Sequence, residues 1–138
     1  MTVHVETPQK IRFLKYMFSH GNRLRSGEIA GQFHIRTASV TRSLHDLSDA
    51  GYLCYDPYQG VELTPAGCDF ARYLFRRHRI ISLMLSRSGL SETDACLLAE
   101  KIEHLVPRDH VDQICRSLGH PNRAPCGIIE PDPACCGV

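Results

Sequence analysis

The 138-residue sequence has no tryptophan, and five tyrosines and five phenylalanines bring the aromatic share to only 7%. Any core must therefore rest on aliphatic side chains. No apolar run approaches the ~20 residues of a membrane-spanning helix, so no membrane partner is expected. The opening residues, MTVHVETPQKIRF, lack the apolar stretch of a secretory signal, and a cytoplasmic location is expected. Net charge is nearly absent as well: 16 Lys and Arg against 15 Asp and Glu leave +1. Hydrophobic residues, by contrast, reach 43%, too many for a disordered chain. Seven cysteines are present. In a reducing compartment they read as thiols or metal ligands and not as a disulfide framework.

The small net charge conceals an uneven distribution. Residues 1–64 carry seven basic and six acidic side chains, residues 65–90 five and one, and residues 91–138 four and eight. Nucleic acid is one partner for a basic stretch and a cation one for an acidic stretch; an unevenly charged solvated surface is the plain alternative.

Hydrophobic periodicity predicts a mainly α chain. Ile11, Leu14 and Phe18 mark a helix over 8–19, closed by His20-Gly21-Asn22. Ser26 and Thr37 are expected to cap a short second helix and a third helix, and Gly51 to stop the third. Two strand-like runs, 52–56 and 61–64, flank Pro57-Tyr58-Gln59-Gly60 as a hairpin. Thr64-Pro65 opens a long helix to about Ser88. Helices from Ser91 to about Val106 and from Pro107 to Leu118 follow, then a Pro- and Cys-rich tail read as irregular. This order predicts a winged helix-turn-helix (1–64), a helical metal-binding and dimerisation domain (65–119) and a tail (120–138).

A helix-turn-helix places the N-terminal residues of its second helix nearest the base edges of the major groove. Here Thr37, Ser39, Thr41 and Arg42 take that place. Small hydroxyls allow close approach and bond phosphate or base, and arginine makes the two-pronged contact to guanine. Arg23, Arg25 and Arg36 suit phosphates, and Tyr58 sits at the hairpin tip. Double-stranded DNA is the expected partner. A winged helix used for protein contact or metal buffering is the alternative. No nucleophile with a paired base stands out, so an enzyme is not expected.

Cys96, Glu100, Glu103 and His104 share a helix face, with His78 as a candidate ligand from another helix. Such a face is either acidic surface with a stray imidazole or a divalent metal site. Cys126, Cys135 and Cys136 form a C-x8-C-C pattern that is no standard zinc motif. With Cys96 or His120 they could make an additional metal site, or they could be redox thiols. Cys54 and Cys115 read as small buried hydrophobes. The apolar excess on the last three long helices, including Leu97, Leu98 and Leu105, predicts a homodimer.

Arg77-His78-Arg79, Glu103-His104, Leu118-Gly119-His120-Pro121 and the Pro125-Cys126-Gly127 turn resemble the diphtheria toxin repressor and manganese transport regulator family over about residues 7–130. The resemblance implies a metal-dependent repressor of metal-uptake genes that answers to Fe(II) or Mn(II), with Zn(II) a further option. It implies His78, Glu103 and His104 as ligands, Glu100 as the carboxylate of the manganese branch, and Cys96 in place of an ancillary histidine. Ser82 stands where the iron branch has glutamate, Lys10 where the first helix supplies a ligand, and Phe13 where the manganese branch has glutamate. A Lys10 ammonium paired with Glu100 or Glu103 would replace part of the tie that metal provides and make DNA binding metal-independent. A thiol-responsive regulator on the same scaffold is the other alternative.

Overall fold

The computed structural model describes residues 6–21 and 23–137; Asn22 and Val138 lie outside them. The chain divides into two compact units, Met1–Arg72 and Tyr73–Val138. Among the described residues no helix is long and apolar enough to cross a membrane.

In the first unit α1 (Pro8–His20), α2 (Ser26–Phe33) and α3 (Thr37–Asp49) precede a hairpin of β1 (Leu53–Asp56) and β2 (Gly60–Leu63). Thr7 caps α1, its hydroxyl accepting from Lys10 N, and Pro8 takes the first turn, where a missing N–H costs nothing. Gly21, at φ 66°, ends the helix in the left-handed conformation that glycine adopts without strain. The predicted caps shift by one residue. Arg25 and Arg36 are the N-cap residues, while Ser26 and Thr37 are already helical. At Arg25 the backbone N–H donates to Glu28 Oε1.

Ile11, Leu14, Ile29, Val40, Leu44 and Leu47 form the core predicted by their spacing. Phe13 joins them with no exposed surface, its ring 5.3 Å from that of Phe33, while Phe18 is only half-buried. Lys10 is buried too, and its Nζ lies 2.9 Å from Asp46 Oδ2 on α3.

The hairpin pairs Leu53 with Leu63 and Asp56 with Gly60. Val61 also exchanges both backbone hydrogen bonds with Leu24, at 2.7 and 3.0 Å. This draws Leu24 so close that a Cβ on Gly60 would lie 2.4 Å from the Leu24 carbonyl oxygen.

Helix α4 (Pro65–Arg87) starts as predicted, with Thr64 Oγ1 accepting from Gly67 N at 3.0 Å. Gly67 packs flat on the wing: a Cβ there would sit 2.1 Å from the Tyr52 carbonyl oxygen. Gly67→Ala gains about 1 kcal/mol in helix propensity. The backbone clash outweighs that, and overpacking of this kind costs about 1–3 kcal/mol or more. We expect a lower urea midpoint; a midpoint equal to or above wild type would contradict the close approach.

The second unit holds the rest of α4, α5 (Glu92–Ile102), a 3-10 turn (Glu103–Leu105) and α6 (Arg108–Ser117). The tail departs from its irregular reading. It forms a two-residue hairpin, β3 (Arg123–Ala124) with β4 (Gly127–Ile128), and a one-turn helix α7 (Pro133–Cys136) capped by Asp132. Ala124 and Ile129 pack against Ile80, Leu83, Val111 and Cys115. Burial against α4 and α6 orders a segment whose local sequence carries no periodic signal. Cys115 is buried as expected. Cys54 is exposed, because it occupies the outward side of β1 between Leu53 and Tyr55.

Candidate metal centre and nucleic-acid interface

In the first unit, α3 turns Val40, Leu44 and Leu47 inward, which leaves Thr37, Ser39, Arg42 and His45 exposed and Thr41 half-buried. Gln9 on α1 donates to Ser39 Oγ and Ser43 Oγ at 3.5 and 3.4 Å, steadying the start of α3. Arg25 and Arg36 are exposed at the starts of α2 and α3. Tyr58, 87% exposed, stands at the wing tip, where Asp56 Oδ1 accepts from its backbone N–H. Arg23 is exposed beside the wing. It donates to Glu62 and Gln59 and pins the wing. His45 packs against Tyr55, with ring centroids 4.7 Å apart and the rings tilted by 49°.

In the second unit, His78 on α4 meets Glu103 in the 3-10 turn, Nδ1 to Oε2 at 2.7 Å. Glu103 is 2% exposed. Cys96 lies within 3.4 Å of Ser82 Oγ. The ligand atoms of His78, Cys96 and Cys126 all lie within 4.8 Å of one another. Burial opposes ionisation of Cys96, but hydrogen bonds from Ser82, His78 and Cys126 outweigh it and draw the thiol below its ordinary pKa. Desolvation and the neighbouring Cys96 push Cys126 up. Two sulfurs next to an imidazole are a soft donor set, and the Glu103 carboxylate borders it through His78 Nδ1. His104 Nδ1 is buried with no hydrogen-bond partner among the described residues, and Glu100 is exposed.

Cys126 thus lies beside Cys96, away from the C-x8-C-C grouping. Its partner there is 30 positions upstream, and only the β3–β4 turn brings it close. Cys135 and Cys136 gather instead with Cys115 and His120, all four ligand atoms within 4.8 Å. Cys115, whose spacing from Val111 marks it as core, is core and also brings its sulfur into this group. His120 arrives through the end of α6. Gly119 N–H donates to Arg116 O and His120 N–H to Cys115 O, a backbone closure that returns the chain onto Cys115. His120 itself takes φ 51°, which costs a non-glycine residue about 1 kcal/mol or more. Burial, with hydrogen bonds to Cys135 and Cys136, pushes the Cys115 thiol up to about 12 against the pull of Arg76. Burial also opposes ionisation of Cys136, but the Asp132 backbone, Arg76 and Cys115 outweigh it and lower its pKa.

Residues 64–132 match the family of the iron dependent repressor, metal binding and dimerisation domain. The HTH-type transcriptional regulator MntR of Lysinibacillus sphaericus (strain C3-41) is 32% identical over 90 residues, 65% of each chain. The chain thus spans just under two thirds of the length of this relative. A hypothetical protein from Sulfolobus solfataricus superposes with a TM-score of 0.77 at 25% identity, over 91% of this chain and 96% of that one. ScaR with bound Zn2+ superposes with a TM-score of 0.76 at 27% identity, over 88% and 59%.

Proposed function

The chain belongs to the iron dependent repressor family, whose metal binding and dimerisation domain it carries over residues 64–132, and from that membership we propose that it is a metal-responsive DNA-binding transcriptional repressor that works as a homodimer. The observation that carries the reading is the buried Glu103–His78 pair with the Cys96 and Cys126 thiols beside it. A carboxylate, an imidazole and two thiols suit a divalent transition metal. Their softness favours Fe(II) or Zn(II), with Mn(II) resting more on Glu103 and Glu100. The orphaned, buried His104 Nδ1 is a further nitrogen donor in want of a partner. When bound, the metal supplies positive charge that holds these side chains in one arrangement. Glu103 fixes the ring of His78 through Nδ1, the orienting role that carboxylates play around ligating histidines.

On the DNA side, Thr37, Ser39 and Thr41 approach the groove, Arg42 reads a base or holds a phosphate, and Arg25, Arg36 and Tyr58 engage the backbone around it. Leu97, Leu98 and Leu105 are 52%, 37% and 70% exposed, an apolar surface suited to a second copy of the chain. Regulation is then a coupling free energy between the metal site and the DNA site, typically 5–150-fold in affinity.

The test is fluorescence anisotropy of duplexes selected from a random library, under anaerobic conditions, with chelator or with Fe(II), Mn(II) or Zn(II) added singly. Metal is expected to tighten binding within that range. Arg42→Ala is expected to weaken it by about 1–3 kcal/mol. Binding that ignores every metal and follows oxidant would replace this reading with the thiol-responsive one. Binding indifferent to both metal and oxidant would leave a metal-independent regulator. The absence of any salt-dependent DNA affinity would remove the DNA function altogether.

A further inference from the structure

Cys115 on α6, His120 just beyond it, and Cys135 and Cys136 on α7 offer three sulfurs and one ring nitrogen to a single point. Cys115 Sγ lies 3.5 Å from His120 Nδ1 and 4.0 Å from Cys136 Sγ, and Cys135 Sγ lies 4.0 Å from His120 Nδ1. In a tetrahedral zinc site, with Zn–S near 2.3 Å and Zn–N near 2.0–2.1 Å, neighbouring ligand atoms stand roughly 3.5–3.8 Å apart. These three separations are close to those edges, and all four ligand atoms lie within 4.8 Å of one another. We propose that Cys115, His120, Cys135 and Cys136 form a closed Cys3His site for zinc, separate from the His78 centre, that clasps the C-terminal segment onto α6.

Charge supports this assignment. Three thiolates, a neutral imidazole and a divalent cation sum to one negative charge. Arg76, 5% exposed, points Nη2 at Cys115 Sγ and Cys136 Sγ at 3.3 and 3.7 Å. Its Nη1 lies 3.7 Å from Asp112, and its Nε donates to the Glu130 carbonyl, so the guanidinium is held in place beside the sulfurs. Cys115 is buried and Cys135 and Cys136 are half-buried; thiols that merely packed would require neither a cation next to them nor an imidazole turned toward them by a left-handed residue. All four ligands come from protein, which is the pattern of structural zinc and leaves no open position for substrate.

The experiment uses the full chain carrying His78→Ala and Cys96→Ala, which removes the nitrogen and one sulfur of the other centre. Titrated anaerobically with Co(II), this parent is expected to show intense tetrahedral d–d bands and a thiolate-to-cobalt transition of the intensity of three sulfurs. One equivalent of Zn(II) should bleach both. Adding Cys135→Ser and Cys136→Ser should abolish the tetrahedral spectrum, with helical circular dichroism unchanged. If that variant does not fold, the parent spectrum still decides. A parent with weak octahedral cobalt bands, or none, overturns the proposal. So does a retained three-sulfur spectrum after both serine substitutions, or a mass short by two hydrogens with a cross-linked peptide that joins Cys115 to Cys136 in place of metal. None of these readings depends on DNA binding.

Discussion

Glu103→Ala should weaken metal binding 10- to 100-fold and abolish the metal-stimulated part of DNA binding. Partners that orient ligating histidines typically contribute that much, and Glu103 is placed to be such a partner or a ligand itself. It is 2% exposed and 2.7 Å from His78 Nδ1. Removing it leaves an imidazole without its anchor and takes one negative charge from the centre. Glu103→Gln separates charge from shape, because it keeps the side-chain volume and loses the carboxylate. Both variants are expected to lose metal affinity by isothermal titration, with the Gln variant closer to wild type in thermal stability. Wild-type metal affinity in both would show that Glu103 is a structural ion-pair partner only.

Phe13→Ala should cost the first unit about 3–5 kcal/mol, the usual range for truncating a buried phenylalanine. Phe13 has no exposed surface and meets Phe33 at 5.3 Å with the rings tilted. The chain has no tryptophan and few aromatics, so little large apolar area stands in reserve to fill the void. A domain stable by about 5–15 kcal/mol loses about a fifth of its margin or more. Urea denaturation should show a lower midpoint with an unchanged slope. A loss below about 1 kcal/mol would mean that α1 collapses onto the cavity, contrary to the rigid packing of most cores.

The same residue shows why one departure from the family resemblance was hard to interpret. The resemblance places Phe13 where the manganese branch of the family has a glutamate. Its type alone does not reveal that the position faces the core, and its burial does. Lys10 is similar. Its type alone does not reveal that Nζ lies 2.9 Å from Asp46 on α3. Helix ends were readable because the signals are local: Pro8 and Pro65 open helices, and Gly21 stands just past the end of one. The caps at Ser26 and Thr37 were displaced by one residue because Arg25 and Arg36 take the extended backbone conformation of an N-cap in their place. Cysteine grouping was not readable. Cys96 meets Cys126 across 30 residues and Cys115 meets Cys136 across 21, through a hairpin and a one-turn helix too short to leave a periodic mark.

The Leu24–Val61 bridge bears on how the protein avoids self-association through its sheet. A two-stranded wing ordinarily exposes two edges with open N–H and C=O groups, each a template for another chain. At Val61 the outer edge of β2 is already occupied by Leu24, and the amide hydrogen of each donates to the carbonyl oxygen of the other. Gly60, which must remain free of a Cβ for Leu24 to come so near, guards that closure. Any side chain at position 60 would reopen the edge. The expected sign is faster hydrogen exchange at the Leu24 and Val61 amides, followed by aggregation through the wing before the helices melt.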